Sequence, residues 1–168
     1  MLRFILLICI FPLLGVDPCS KTKITAPAFI CDAVPELNKQ IISHVKSTIG
    51  KQVGRGECWD LAADALNSVG ADWDKNYKFG RVVNYAKDCV FPGDIVQFEG
   101  VQIEYRKGNS VYWEDLEHHT AIVYEVKATG NYIMAEQNTS EGGKKVVLNP
   151  LQLKDVTKGK YTIYRPTK

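Results

Sequence analysis

The chain has 168 residues, of which 45% are hydrophobic and 24% charged, so it carries enough apolar side chains for one ordinary core. This composition argues against a disordered chain. A formal net charge of +2, with no long run of basic residues, argues against a nucleic-acid-binding protein. We therefore expect one globular domain whose function depends on particular side chains.

The N-terminus is typical of an export signal. Met1–Arg3 supplies a positive start, and Phe4–Leu14 is an apolar run too short to span a bilayer. We expect a signal peptide over residues 1–19, with its cleavage point between Gly15 and Ser20. Residues 20–168 would then form a single secreted or periplasmic domain without a stable membrane anchor. A buried N-terminal strand or an anchor is the alternative.

Export makes the five cysteines informative, because disulfides persist in oxidising compartments. Cys9 leaves with the signal. If Cys19 survives cleavage, we expect a Cys19–Cys31 bridge that leaves Cys58 and Cys89 unpaired, and Cys31–Cys89 is the rival pairing. No C-x-x-C or H-x-x-x-H spacing occurs. The sequence therefore predicts no zinc site and no other cofactor.

Two helices are predicted in the first half of the chain. Residues 35–49 place apolar side chains at helical spacing and predict a packing helix. Gly54 and Gly56 then interrupt the pattern. A second helix is expected from Cys58, with Gly70 as its C-terminal cap.

Cys58 falls in the first turn of the second helix. Unpaired backbone N–H groups and the helix dipole favour a thiolate there, and a thiolate attacks carbonyl carbon. The alternative is a buried structural cysteine, since Cys58 also lies on the apolar stripe. Glu57 and Asp60 suit a helix start, but their charges oppose a nearby thiolate.

The remainder of the chain predicts a largely antiparallel sheet of about five to six strands. Its apolar segments, several of them alternating with polar residues, are 82–83, 94–98, 101–105, 119–126, 131–135, 144–148 and 161–164. Glycine-containing turns at 107–109, 129–131 and 141–143 are typical of hairpins. Residues 107–117 are also expected to form a long loop, as a lid or a partner-binding segment. Helices followed by strands indicate an α+β fold.

His119 is expected to open the strand 119–126 and to act as the general base for Cys58. His118, its neighbour, would point to the opposite face. Glu136 and Asn138 follow the next strand, and alternation would place both on one face beside the imidazole. The alternative for these two residues is an ordinary polar strand end.

Four motifs occur in order: G-E-C-W-D-L-A, P-G-D-I-V-Q-F, H-T-A-I-V-Y and A-E-Q-N. Together they resemble the CHAP branch of the papain-like NlpC/P60 superfamily. The resemblance implies N-terminal helices packed on an antiparallel sheet. It also implies catalytic roles for Cys58, His119, Glu136 and Asn138. The first and third motifs further resemble the cysteine-proteinase-fold domain of some fungal actin-patch proteins.

The leading hypothesis is a secreted cysteine hydrolase that cleaves an amide bond without a metal or organic cofactor. The resemblance implies a peptide-containing substrate, with peptidoglycan the most familiar one. An inhibitor protein is a further expected partner, although no residue specifies it. The alternative is a catalytically silent binding module for a peptide or glycan. In either case the groove is expected to use aromatic side chains: Trp59, Trp73, Tyr77 and Trp113.

Overall fold

The computed structural model describes Cys31 and residues 33–168. The expected signal peptide and Cys19 lie outside these residues. Two helices come first, α1 (Glu36–Thr48) and α2 (Cys58–Ser68), and both are confirmed predictions. No helix in the described part of the chain is long and apolar enough to cross a bilayer.

One six-stranded sheet follows the helices. Its strands are β1 (Arg81–Val83), β2 (Ile95–Lys107), β3 (Ser110–Ala128), β4 (Asn131–Glu136), β5 (Val147–Gln152) and β6 (Val156–Arg165). Their order is β1-β6-β2-β3-β4-β5, and every neighbouring pair is antiparallel. The predicted α+β fold, with helices packed on an antiparallel sheet, is therefore confirmed.

The hydrophobic core lies on both faces of the sheet. Ile41 of α1 and Leu61 of α2 pack with Ile95 and Ile122 on one face. Val96, the residue after Ile95, belongs to a second buried cluster. Successive strand residues point to opposite faces, so a nearly continuous apolar run such as the start of β2 is buried on both sides.

The predicted loop at residues 107–117 is wrong. Only its tip forms a turn, and from Ser110 onward the chain pairs with β2 as the first half of β3. His119 therefore lies within a 19-residue strand and does not open one. Acidic residues such as Glu117 suggested a loop, but this strand has exposed positions that tolerate charge. The predicted strands 94–98 and 101–105 are likewise one strand, whose pairing with β6 shifts register between Glu99 and Gln102.

The last two strands also extend beyond their predicted bounds. β5 runs to Gln152 through Pro150, a residue that argues against a central strand because it lacks an N–H donor. β5 is the outermost strand beside β4, and an edge strand tolerates proline. β6 begins at Val156, five residues before the predicted segment.

A disulfide joins Cys31 to Cys89. The rival pairing is therefore the one formed, and the expectation that Cys89 is unpaired is wrong. The bridge holds the start of the described chain against the segment that precedes β2. Cross-linking residues 58 positions apart restricts the unfolded chain and stabilises the fold by about 4 kcal/mol.

A buried ion pair connects the end of β6 to the segment before β2. The Arg165 guanidinium donates to both carboxylate oxygens of Asp94, at 3.0 and 2.7 Å. Asn38 of α1 adds a hydrogen bond of 2.8 Å to the same carboxylate. The Asp94 side chain is fully buried, so its charge depends on these partners.

Substituting Arg165→Met should lower the free energy of unfolding by about 3–5 kcal/mol, because it leaves a buried carboxylate without its cation. Urea unfolding followed by circular dichroism measures this change. Adding Asp94→Leu should restore much of the loss. Lys127→Met, which breaks the exposed pair with Glu125, is the control and should change stability by less than about 1 kcal/mol. An Arg165→Met loss no larger than the control would contradict the role of the pair.

Candidate active site

Cys58 is the first residue of α2 and the one free cysteine among the described residues. The turn before it needs glycine at two positions. Gly54 and Gly56 have φ angles of +55° and +85°, in the left-handed region that other residues seldom adopt. A Cβ on Gly56 would also lie 2.7 Å from the Lys144 side chain. The two glycines therefore allow the chain to turn tightly into the helix at Cys58.

Asp60 stabilises this turn. Its carboxylate accepts hydrogen bonds from the backbone N–H groups of Arg55, at 2.7 Å, and Glu57, at 3.2 Å, and pairs with the Arg55 guanidinium at 3.0 Å. Burial raises the pKa of Asp60. These hydrogen bonds and the charge of Arg55 outweigh that effect, so the pKa of Asp60 lies below its usual value. Its negative charge is therefore matched locally, which reduces the opposition to a thiolate expected from the sequence.

Gln137 ties the turn to the end of β4, and the sequence analysis missed it. Its side chain is fully buried and donates to the carbonyl oxygens of Val53, at 3.0 Å, and Glu57, at 2.7 Å. Its amide oxygen accepts from Val53 N–H at 3.2 Å. A glutamine between two polar residues gives no sequence signal that distinguishes it from an exposed one.

His119 is buried on β3 and faces the end of β4. Its Nε2 donates to Glu136 Oε2 at 2.7 Å. The other oxygen, Oε1, accepts from the Asn149 side chain of β5 at 2.9 Å. Three adjacent strands thus contribute one residue each, and Asn149 is a positioning residue that the sequence analysis missed because its strand was misplaced.

Cys58 lies against β3 where β4 no longer pairs with it. The β3–β4 ladder ends at the Ile122–Ala135 pair, while β2 continues to pair with β3 beyond that point. The sulfur lies 3.9 Å from the carbonyl oxygen of His118, and the backbone of Thr120 hydrogen-bonds to it. The start of α2 therefore occupies the edge of β3 that β4 leaves open.

The thiol and the imidazole shift each other's pKa. Burial raises the pKa of Cys58, but its hydrogen bond to His119, the imidazole charge and backbone hydrogen bonds lower it to a net value below the usual one. Burial lowers the pKa of His119, but hydrogen bonds to Cys58 and Glu136 and their charges raise it to about 9. The proton therefore rests on the imidazole, and the pair is a thiolate and an imidazolium.

Asn138 lines the cavity, but its side chain hydrogen-bonds to Glu57. It follows the end of β4 with a φ of +61°, so strand alternation does not continue to it. Its amide donates to Glu57 Oε2 at 2.9 Å. The expectation that strand alternation places Asn138 on the face of Glu136 is therefore wrong, while a role for Asn138 at the site stays a prediction.

A cavity of about 390 Å³ opens over the nucleophile. It is lined by residues of α2, β3 and the segment after β4: Cys58, Asp115, Leu116, Glu117, His118, His119 and Asn138. Three of these belong to the stretch expected to be a loop lid, and they form a wall of the cavity as part of a strand.

None of the four aromatic residues expected in the groove is among the residues that line the cavity. Trp73 is buried in the core cluster with the helices. Trp59 packs on it, with ring centroids 5.6 Å apart, and donates to the Asn76 carbonyl oxygen. The rings of Tyr77 and His118 meet edge to face, with their centroids 4.3 Å apart. Trp113 is exposed on β3. The side chain of Tyr77 therefore contacts His118, which lines the cavity.

Within the described residues, no group of three or more His, Cys, Asp or Glu side chains is arranged to hold a metal ion. The thiol of Cys58 and the imidazole of His119 line the cavity, and the Glu136 carboxylate bonds to that imidazole. This set suits attack on an acyl carbon.

The family model of the AIM3/BBC1 cysteine proteinase-fold domain matches residues 32–168. The chain belongs to this family. The match includes Cys58, His119 and Glu136 and agrees with the resemblance noted from the sequence motifs. Among curated proteins, none matches this chain.

Two crystal structures are similar to this AIM3/BBC1-type domain. One is of Ly7917, with a TM-score of 0.43 and 16% identity over 76% of this chain. The other is of Ly7917 with the hydrolyzing product of MDP, with a TM-score of 0.45 and 16% identity over 77% of this chain. In both comparisons the alignment covers 62% of the Ly7917 chain, less than two thirds of its length.

Alkylation by iodoacetamide should reveal the thiolate of Cys58. We expect its rate to rise with a midpoint below the ~8.5 of an ordinary thiol. His119→Ala should move the midpoint above that value, because burial of the thiol remains while the hydrogen bond and charge that oppose it are lost. Peptide mass spectrometry measures the rate at each pH.

N-acetylcysteine in the same tube is the reference thiol, because Cys89 is bonded to Cys31 and leaves Cys58 as the one free cysteine among the described residues. The same midpoint in wild type and His119→Ala would contradict the thiolate–imidazolium pair.

Asn149→Leu should slow the alkylation of Cys58 at pH 6 by roughly 10-fold, because the Glu136 carboxylate loses a hydrogen bond worth about 1.5 kcal/mol and holds the imidazolium less firmly. Asn149→Asp separates the hydrogen bond from the size of the side chain, since it keeps the size and replaces the donor by an acceptor. Both variants should slow the reaction. A normal rate in Asn149→Leu would show that Glu136 needs no support from β5.

Proposed function

We propose that this chain is a secreted cysteine hydrolase that cleaves an amide bond, with the peptide part of peptidoglycan as its substrate. One observation carries the proposal: Cys58 lies at a helix N-terminus and hydrogen-bonds to the imidazole of His119, which Glu136 holds in place. Each part has a defined role in acyl transfer.

The thiolate of Cys58 attacks the carbonyl carbon of the scissile amide. The backbone N–H of Cys58 lies among the helix N–H groups that have no intrahelical partner, and it stabilises the oxyanion. His119 then gives its proton to the leaving amine, whose C–N bond breaks, and a thioester remains. The neutral imidazole next takes a proton from water, which attacks the thioester and releases the acid. Cys58 leaves as the thiolate, and His119 keeps the proton that it took from water, which restores the starting pair.

The choice of substrate class follows the CHAP resemblance and the charge of the cavity. Asp115 and Glu117 bring two carboxylates to its wall. Carboxylates at this position favour a substrate that carries an ammonium group, as stem peptides with a diamino acid do. Secretion is supported by the apolar N-terminal segment and by the Cys31–Cys89 disulfide, which suits an oxidising compartment.

The test incubates the chain from residue 20 with purified peptidoglycan or with soluble stem peptides. Mass spectrometry identifies the products, and an assay for new amino groups measures the rate of cleavage. Cys58→Ser and His119→Ala should each reduce the rate by at least about 100-fold, as expected for loss of a nucleophile or its base. Activity should fall at high pH with a midpoint near 9, where the imidazolium loses the proton it gives to the leaving amine.

Lys127→Met, a change on the exposed surface of β3, should leave the rate unaltered. Cleavage that survives Cys58→Ser would contradict the mechanism. Binding of these peptides without cleavage in the wild type would favour the silent binding module.

A further inference from the structure

A second histidine lines the same cavity, and the proposed reaction does not use it. His118 and His119 are consecutive on β3, and both border the space over Cys58. The backbone oxygen of His118 lies 3.9 Å from the sulfur, so its side chain is attached immediately beside the nucleophile. Its ring is half-exposed, unlike the buried ring of His119.

The ring of His118 is held in one orientation. Its Nδ1 lies 2.7 Å from Oε2 of Glu99, the residue opposite it on β2. The other oxygen of Glu99 accepts from Gln97 at 3.0 Å, and Gln97 accepts from Thr120 at 2.6 Å. Tyr77 packs against the ring from the loop after α2. A side chain that is fixed in advance loses little entropy when it binds a ligand.

The hydrogen bond to Glu99 also decides what the ring offers to a ligand. A carboxylate accepts, so Nδ1 carries the proton and Nε2 of the neutral ring has a free lone pair. Among the described residues, Nε2 has no hydrogen-bond partner. An acceptor on a residue that lines the cavity with Cys58 matches the backbone N–H of a peptide bond, which a peptide substrate presents next to its scissile carbonyl.

We propose that His118 is a specificity-determining residue whose Nε2 accepts a hydrogen bond from a backbone N–H of a peptide substrate bound in the cavity. The proposal rests on the proposed function, because it assigns the substrate contact of that same site. It separates the roles of the two histidines: His119 moves protons, and His118 aligns the peptide.

The test uses two reagents that alkylate Cys58. Acetyl-alanyl-alanine chloromethyl ketone presents peptide N–H groups, and iodoacetamide is too small to reach beyond the nucleophile. In His118→Phe, which keeps an aromatic ring against Tyr77, the concentration of ketone at half-saturation should rise about tenfold, the usual effect of one hydrogen bond. The maximal alkylation rate and the iodoacetamide rate should not change. His118→Gln keeps an acceptor and should recover part of the affinity.

His44→Phe is the matched control, because His44 pairs with Asp64 between the two helices at 2.6 Å and does not line the cavity. Equal half-saturation in wild type and His118→Phe would overturn the assignment, and so would a wild type that shows no saturation while Cys58 remains reactive. Those results leave the proposed function intact. A wild-type Cys58 that reacts with iodoacetamide as an ordinary thiol would overturn both.

Discussion

The candidate site depends on the docking of the turn before α2 onto the end of β4 through the amide of Gln137. Cys58 follows Glu57 in the chain, and Glu136 precedes Gln137, so one buried side chain fixes the nucleophile relative to the carboxylate. Three hydrogen bonds satisfy both ends of the amide. Leaving such buried groups unpaired costs about 1–3 kcal/mol each, which disfavours any arrangement that separates the turn from the sheet.

Two acidic residues of the turn beside Cys58, Asp60 and Glu57, act on the backbone or on a cation. Asp60 holds two N–H groups of the turn and pairs with Arg55. Glu57 pairs with Lys144 at 2.7 Å and accepts from Asn138. Because their charges are matched, these carboxylates stabilise the start of α2 without disfavouring the thiolate form of Cys58. Through its bond to Glu57, Asn138 links the segment after β4 to the same turn. The buried side chain of its neighbour Gln137 makes a second link.

Sequence periodicity was sufficient for the helices and for the residues at their ends, because the apolar stripe of α2 and the glycines before it are local signals. It also singled out Cys58, His119 and Glu136, which the fold brings together. Features that depend on a partner in space were not predictable. Pro150 argued against continuing the predicted strand beyond Leu148, so Asn149 was missed. The buried role of Gln137 exists only once β4 meets the turn. The partner of Cys31 depends on how the segment near Cys89 folds back.

The position of α2 at the edge of β3 explains why two consecutive histidines border one cavity. In a fully paired strand, His118 and His119 would be separated by the sheet, since alternate side chains point to opposite faces. The ladder to β4 ends at Ile122, however, and the start of α2 takes the place of the missing strand. The Cys58 sulfur lies at this edge, where the buried imidazole of His119 hydrogen-bonds to it and the backbone oxygen of His118 lies 3.9 Å away. The early end of a single strand pair therefore creates both the reactive pair and the wall against which a peptide can lie.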